Sequence, residues 1–358
     1  MPHDVHQLGE VACTPVDGKG GEDLSGPYEP VLGWPGPVEP GMTLARASSV
    51  VARSADRVIV GAHFGLVPEP PRSVWWGRDL YYDDDGPFGP KYAPLRSAEQ
   101  THTHHILTFD RAGEVVEDWT WHDQLFGKVD RVQVDPYDPD RPVWITDGLK
   151  RRLWKFSADG KQILLEVSAE AVPDSSELPW MGHDIAWLRS GDFYAAGKQR
   201  VDRFTTDGEH VWALAARGSG PGQFEDLHGF VIDEPEDRIY IGDRGNARVQ
   251  VFDLDWSFVA EWPNILGIFS MRLTRDGHLW IGDGVTQKFL KYDLEGRLVT
   301  SWGTFGVAPG CLFGPHGFDV DEEGSLYIAE NYNDRVQKLR LREDADPADP
   351  RIVGPLVP

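Results

Sequence analysis

The chain repeats itself, and that constrains its fold more than any other feature. Residues 228–262 read HGFVIDEPEDRIYIGDRGNARVQVFDLDWSFVAEW. Residues 269–302 read FSMRLTRDGHLWIGDGVTQKFLKYDLEGRLVTSW, and residues 316–339 read HGFDVDEEGSLYIAENYNDRVQKL. Each gives a short strand, a turn, a strand ending in Gly-Asp or Ala-Glu, a polar loop and a third strand. The first two add a turn and a fourth strand that ends in Trp. Apolar residues alternate along the strands, and the hairpin turns carry Asp-Gly or Glu-Gly. Weaker copies occupy residues 130–167 and 183–214. A further copy begins as SSVVARSADRVIVGAH (48–63), is interrupted by residues 64–103, and is completed by HHILTFDRAGEVVEDW (104–119).

Four-stranded units of this size cannot bury both faces alone. Arranged radially, each covers its neighbour, and closing the ring hides the sheet edges. The expected fold is therefore all-β, a six-bladed β-propeller forming one domain over residues 1–358. The expected blades are residues 42–120, 128–167, 182–216, 222–262, 265–302 and 312–342. The last copy lacks a fourth strand, because REDADPADP (342–350) is loop-like. Near the N-terminus, EPVLGWP (29–35) resembles the outer strand FVAEWP (258–263). A closing strand at about 29–35 is thus expected to pair with the last blade.

The bulk numbers exclude some partners. A net charge of −23 with no basic cluster disfavours nucleic acid and anionic membranes. The two cysteines, Cys13 and Cys311, are too few for a disulfide framework or a cysteine zinc cage. Residues 1–21 carry no apolar signal core, and no apolar run reaches membrane-spanning length, so a cytoplasmic location is expected.

The chemistry gathers at one slot. The first strand of a blade is innermost, so equivalent positions converge around the channel. At the start of that strand the six copies carry Ser48, Asp130, His183, His228, Phe269 and His316. Blades 2, 4 and 6 place Asp130, His228 and His316 in a threefold arrangement, with His183 as a fourth ligand or a general base. Imidazole and carboxylate suit zinc or a similar transition metal, with open positions left for water or substrate.

The insertion in blade 1 opens on the same face. It reads as a lid, with Trp75, Trp76, Arg78, Tyr81 and Tyr82 as substrate contacts. Tyr332 is a candidate acid or base, with His104 and His105 as competitors. Arg78 or Arg244 would hold an anionic group. The triplet Asp83, Asp84 and Asp85 is a candidate calcium site or a solvated turn. The expected partner is a small molecule, for which the aromatic lid suggests an aryl group.

The segments GQFEDLHGFVIDEPEDRIYIGDRGNARVQVF (222–252) and FGPHGFDVDEEGSLYIAENYNDRVQKL (313–339) resemble NHL repeats. The pattern Asp-x-x-Asn-x-Arg-Val-Gln at residues 243–250 is the specific part, and Asp243, Asn246 and Arg248 are expected to brace strands. Over roughly residues 42–340 the layout resembles peptidyl-α-hydroxyglycine α-amidating lyase. The resemblance rests on RVIVGAH (57–63), GPGQFEDLHGF (220–230) and GPHGFDVDEEGSLYIAENYNDRV (314–336). It implies a zinc held by three histidines from alternate blades, two of which are His228 and His316, with Asp130 at the third. The family's blade 3 tyrosine loop aligns with AAGKQRVDRF (195–204), which has no tyrosine. The arginine after the blade 1 histidine is Phe64, and the calcium-ligating aspartate is Gly317, for which Asp184 is a replacement.

The expected function is a metal-dependent lyase that cleaves a C–O or C–N bond. The alternatives are a metal-dependent hydrolase of an aryl ether or ester and a non-catalytic protein-binding propeller.

Overall fold

The computed structural model describes residues 25–68, 103–173 and 182–357. Six four-stranded antiparallel sheets stand in a ring, so the chain is a six-bladed β-propeller. The innermost strands are Ala47–Ser54, Val129–Val134, Asp184–Trp187, Leu227–Asp233, Ile268–Thr274 and Pro315–Val320, in blades 1 to 6. Each touches the next, and the sixth touches the first. Blade 6 takes its outer strand from the N-terminal side: Tyr28–Pro30 lies antiparallel to Arg335–Leu341, with Tyr28 opposite Leu341.

The core is not central. It is divided among six buried clusters, one at each blade boundary. The cluster joining blade 6 to blade 1, for example, sets Val50, Val58 and Val60 against Tyr327, Ala329 and Val336. Alternation explains this pattern, because each strand sends successive side chains to opposite neighbours.

The tryptophans that end the outer strands complete these boundaries. Trp119 and Trp302 are fully buried, and Trp262 nearly so. Each covers a glycine in the outer turn of the following sheet. A Cβ at Gly160 would lie 2.2 Å from the Trp119 ring, and one at Gly296 would lie 2.4 Å from Trp262. Both glycines have positive φ, so the turn and the close approach both require the missing side chain. Trp34 meets Gly113 of blade 1 in the same way and donates its indole N–H to the Asp110 carbonyl at 3.0 Å.

The polar repeat acts as a brace. Arg248 reaches Asp243 at 3.0 Å and the carbonyls of Ser219, Gly220 and Gln223, which fixes the loop entering blade 4. Arg335 does the same in blade 6, pairing with Glu330 and donating to the carbonyls of Val307, Ala308 and Cys311.

Candidate functional site

The slot at the start of each innermost strand is a β-bulge in five of the six blades. Strand register shifts at Ser48, Asp130, His228, Phe269 and His316. A bulge leaves one residue out of the ladder and re-aims its side chain, here toward the channel. In blade 3 the strand begins one residue later, at Asp184, and His183 occupies the slot just before it.

The imidazoles form a chain across the channel. Ring centroids are 5.4 Å apart for His183 and His228, 4.8 Å for His228 and His316, and 5.5 Å for His316 and His63. Three of the four are oriented by one device. The Nδ1 of His183, His228 and His316 lies 2.9, 2.7 and 2.7 Å from the carbonyls of Leu227, Phe269 and Ser48 in the following blade. Arg131 also approaches Nδ1 of His228 at 3.3 Å and of His316 at 3.1 Å, but the carbonyl is the nearer partner in both. A carbonyl only accepts, so the geometry favours the proton on Nδ1 and leaves Nε2 as a lone-pair donor. Burial lowers the basicity of all three. Arg244 adds to that for His228, and Arg131 for His316. All three are neutral at pH 7.

His63 was not among the residues expected at the site. It follows the second strand of blade 1, Arg57–Ala62, and its Nε2 is 3.2 Å from Asp130 Oδ1. Burial and then the nearby Lys128 push it down to about 3. The signal was positional: His63 and Arg244 both stand one residue beyond a second strand, so both face the channel mouth. Burial would raise the Asp130 carboxyl, but Lys128 at 2.8 Å, His63 and His183 outweigh it and hold the group well below its usual range. Asp130 Oδ2 is buried without a hydrogen-bond partner.

The other expected residues divide. Tyr332 is at the site, edge-on to Phe269 at 5.5 Å and to Phe313 at 5.2 Å. Burial pushes its phenol up to about 12. Arg244 lies over the Phe269 ring at 5.1 Å and pairs with Asp226 at 2.5 Å. His104 and His105 are not brought to the channel. They precede the third strand of blade 1, Ile106–Phe109, which is two strands out from the axis. His104 pairs with Asp118 at 2.6 Å, and His105 packs on Phe126 between blades 1 and 2. Arg78, Trp75, Trp76, Tyr81, Tyr82 and the aspartates 83–85 lie outside the described residues.

Beneath the histidines the channel has a floor. Arg131, fully buried, donates to the carbonyls of His316 at 2.7 Å, Ser48 at 3.3 Å and Phe269. Its Nε lies 3.6 Å from Asp184, which also accepts from Gln133 at 2.8 Å and from the Phe230 N–H at 3.0 Å. A guanidinium therefore occupies the channel axis, tied to carbonyls of blades 1, 5 and 6 and facing a carboxylate of blade 3.

The donor set fits a divalent transition ion in kind. Three tautomerically fixed imidazoles present Nε2, and a buried carboxylate oxygen lacks a partner. Among the described residues, however, no group of three or more His, Cys, Asp or Glu side chains is already closed around one point.

Fold and site together define a six-bladed β-propeller of NHL-like blades with a histidine-lined channel. A family profile described as "6-bladed beta-propeller" matches residues 198–264. The human NHL repeat-containing protein 3 is 30% identical over 165 residues, covering 42% of this chain and 46% of that protein. Peptidyl-alpha-hydroxyglycine alpha-amidating lyase 1 of Drosophila melanogaster is 25% identical over 307 residues, covering 76% of this chain and 54% of the fly protein. The chain thus spans about half the length of these curated relatives. A solved streptogramin B lyase shares the fold, with a TM-score of 0.52 at 14% identity over 88% of this chain and 97% of that one.

Proposed function

We propose that the histidine end of the channel is the active site of a metal-dependent lyase that cleaves a C–O or C–N bond of a small oxygenated substrate. One observation carries the reading. Three histidines from three blades each give Nδ1–H to the next blade and keep Nε2 for a ligand. With the proton on Nδ1, each Nε2 is free to ligate a metal, and three such imidazoles meet around one axis. The name of the fly relative supplies the reaction class.

His183, His228 and His316 would hold the ion, with Asp130 as an oxygen donor. When bound, the ion would polarise the substrate oxygen. The remaining work falls to the chain. Tyr332 keeps its proton at neutral pH and can deliver it to the departing nitrogen or oxygen as the carbonyl forms, the tyrosinate then recovering the proton that the substrate hydroxyl releases. Arg244, held by Asp226 through Nε and Nη2, offers its remaining N–H donors to a substrate carboxylate. Phe269 packs under both and keeps that wall of the site apolar.

The test uses N-benzoyl-α-hydroxyglycine and an aryl ether as probes on the zinc-loaded protein, with products followed by chromatography. Tyr332→Phe should lower kcat by roughly 100-fold with little change in KM. A Tyr332→Phe variant turning over at the wild-type rate would contradict the assigned role. Failure of the wild type on both probes would contradict the reaction class.

A further inference from the structure

The Arg131 floor divides the channel, and a second chamber lies on its far side. This cavity of about 810 Å³ opens at the opposite face, among the far ends of the innermost strands, and the C-terminal segment forms part of its wall. That segment is tied down: Arg275 N–H donates to the Pro355 carbonyl at 2.9 Å, and Val357 N–H donates to Leu273 at 2.7 Å. The chamber contains none of the histidines.

Its polar groups are unevenly partnered. The carboxylates on its rim are already used. Asp321 accepts from Tyr327 Oη at 2.9 Å, Glu322 from the Ala55 N–H at 3.0 Å, and Glu323 pairs with Arg111 at 3.0 Å. Deeper in, Asp319 accepts from the N–H groups of Ala52 and Val320. The arginines differ. Among the described residues the Arg272 side chain donates only to the carbonyl of Met271, at 3.3 Å, and neither Arg272 nor Arg141 has a carboxylate within ion-pair distance. Arg141 projects from the hairpin of blade 2 and Arg272 from the innermost strand of blade 5, and both act electrostatically on Asp319. In a chain of net charge −23, two such cations facing one cavity need an explanation other than general surface charge. The walls between them are apolar and aromatic: Ile185, Trp187, Phe230, Ile232 and Leu273. A concave, mostly apolar chamber with a few convergent cations is the form of a small-ligand site.

We propose that the far chamber is a second binding site, for a small organic anion that sets a carboxylate or phosphate between Arg141 and Arg272 and an apolar or aromatic body against Trp187 and Phe230. Guanidinium groups hold either anion through paired N–H donors. The buried Arg131 between the chambers separates this site from the histidines, so the inference does not depend on the lyase reading.

Isothermal titration of the full chain with benzoate, phenyl phosphate and benzyl alcohol tests it. At least one of the two anions should bind with Kd below about 1 mM, and the neutral alcohol should not. The preferred anion identifies the head group. Arg272→Gln and Arg141→Gln should each weaken binding by roughly tenfold or more, with circular dichroism melts confirming that they fold. The Arg141 variant is the safeguard should Arg272→Gln fail to fold, since Arg141 is exposed on a turn. His316→Ala should leave the affinity within about twofold. The proposal is overturned if neither anion binds the wild type at about 10 mM. It is also overturned if the folded arginine variants bind normally, or if His316→Ala alone abolishes binding.

Discussion

Replacing Arg131 should destabilise the whole ring, because its guanidinium ties blade 2 to blades 1, 3, 5 and 6 at the axis. Arg131→Met keeps the buried stem and removes the donors. The carbonyls of Ser48, His316 and Phe269 then lose their contacts with the guanidinium, and Asp184 faces no cation. A buried polar group left unsatisfied costs about 1–3 kcal/mol, and breaking one side of a buried ion pair costs about 3–5 kcal/mol. Overlap between these contributions, and the bonds Asp184 keeps to Gln133 and Phe230, place the expected loss at about 3–5 kcal/mol. Urea denaturation of Arg131→Met, Asp184→Asn and the double variant measures it. The double variant should lose less than the sum of the singles by about 1 kcal/mol or more, since each single leaves its partner exposed to the same defect. An Arg131→Met protein within about 1 kcal/mol of wild type would refute the floor as a structural tie.

Three further outcomes are expected. Burial pushes Asp319 from its ordinary 3.8 up to about 6, so the folded state holds this proton more tightly than the unfolded one. Its contribution is fully present below about pH 4 and is lost as pH rises to about 6, a decline of roughly 3 kcal/mol, so the wild type minus Asp319→Asn stability difference should fall across that window and flatten above it. Arg335→Ala, which removes the brace on Glu330 and three loop carbonyls, should cost about 2–4 kcal/mol by urea denaturation, and a loss below about 0.5 kcal/mol would deny the brace. Removing residues 1–36 deletes the outer strand of blade 6 and Trp34, and should abolish the cooperative thermal transition; an unchanged melt would show that the pairing of Tyr28–Pro30 with Arg335–Leu341 does not hold the ring.

The fold was legible because the repeat carries its own turn chemistry. Period-two strands, Asp-Gly turns and a terminal Trp recur at a spacing that only a radial stack satisfies. The histidine slot was legible for the same reason, since equivalent positions in a ring converge. What could not be read was the local geometry at the slot. The bulges at Asp130, His228 and His316 break the alternation by one residue; Gly229 and Gly317 mark the two at histidine, but nothing marks the one at Asp130. His63 was missed because it stands just beyond a second strand, where four of the other five blades carry Asp or Glu as the last strand residue. His104 and His105 drew attention as a pair, but strand order sets them two strands from the axis. Arg131 was hidden by its neighbour: Asp130 looked like the functional residue, while the adjacent arginine fills the channel. The far chamber gave no signal either, because its arginines are spread over two blades and meet only on closure.

The central claim is that the imidazoles of the channel are arranged for an ion. Elemental analysis of the untagged protein after zinc loading and dialysis, beside His228→Ala and His316→Ala, tests it most directly. The account predicts about one equivalent of metal in the wild type and a loss of at least tenfold in affinity in both folded variants. A wild-type protein that retains no zinc or other transition metal, or variants that retain it fully, would contradict it.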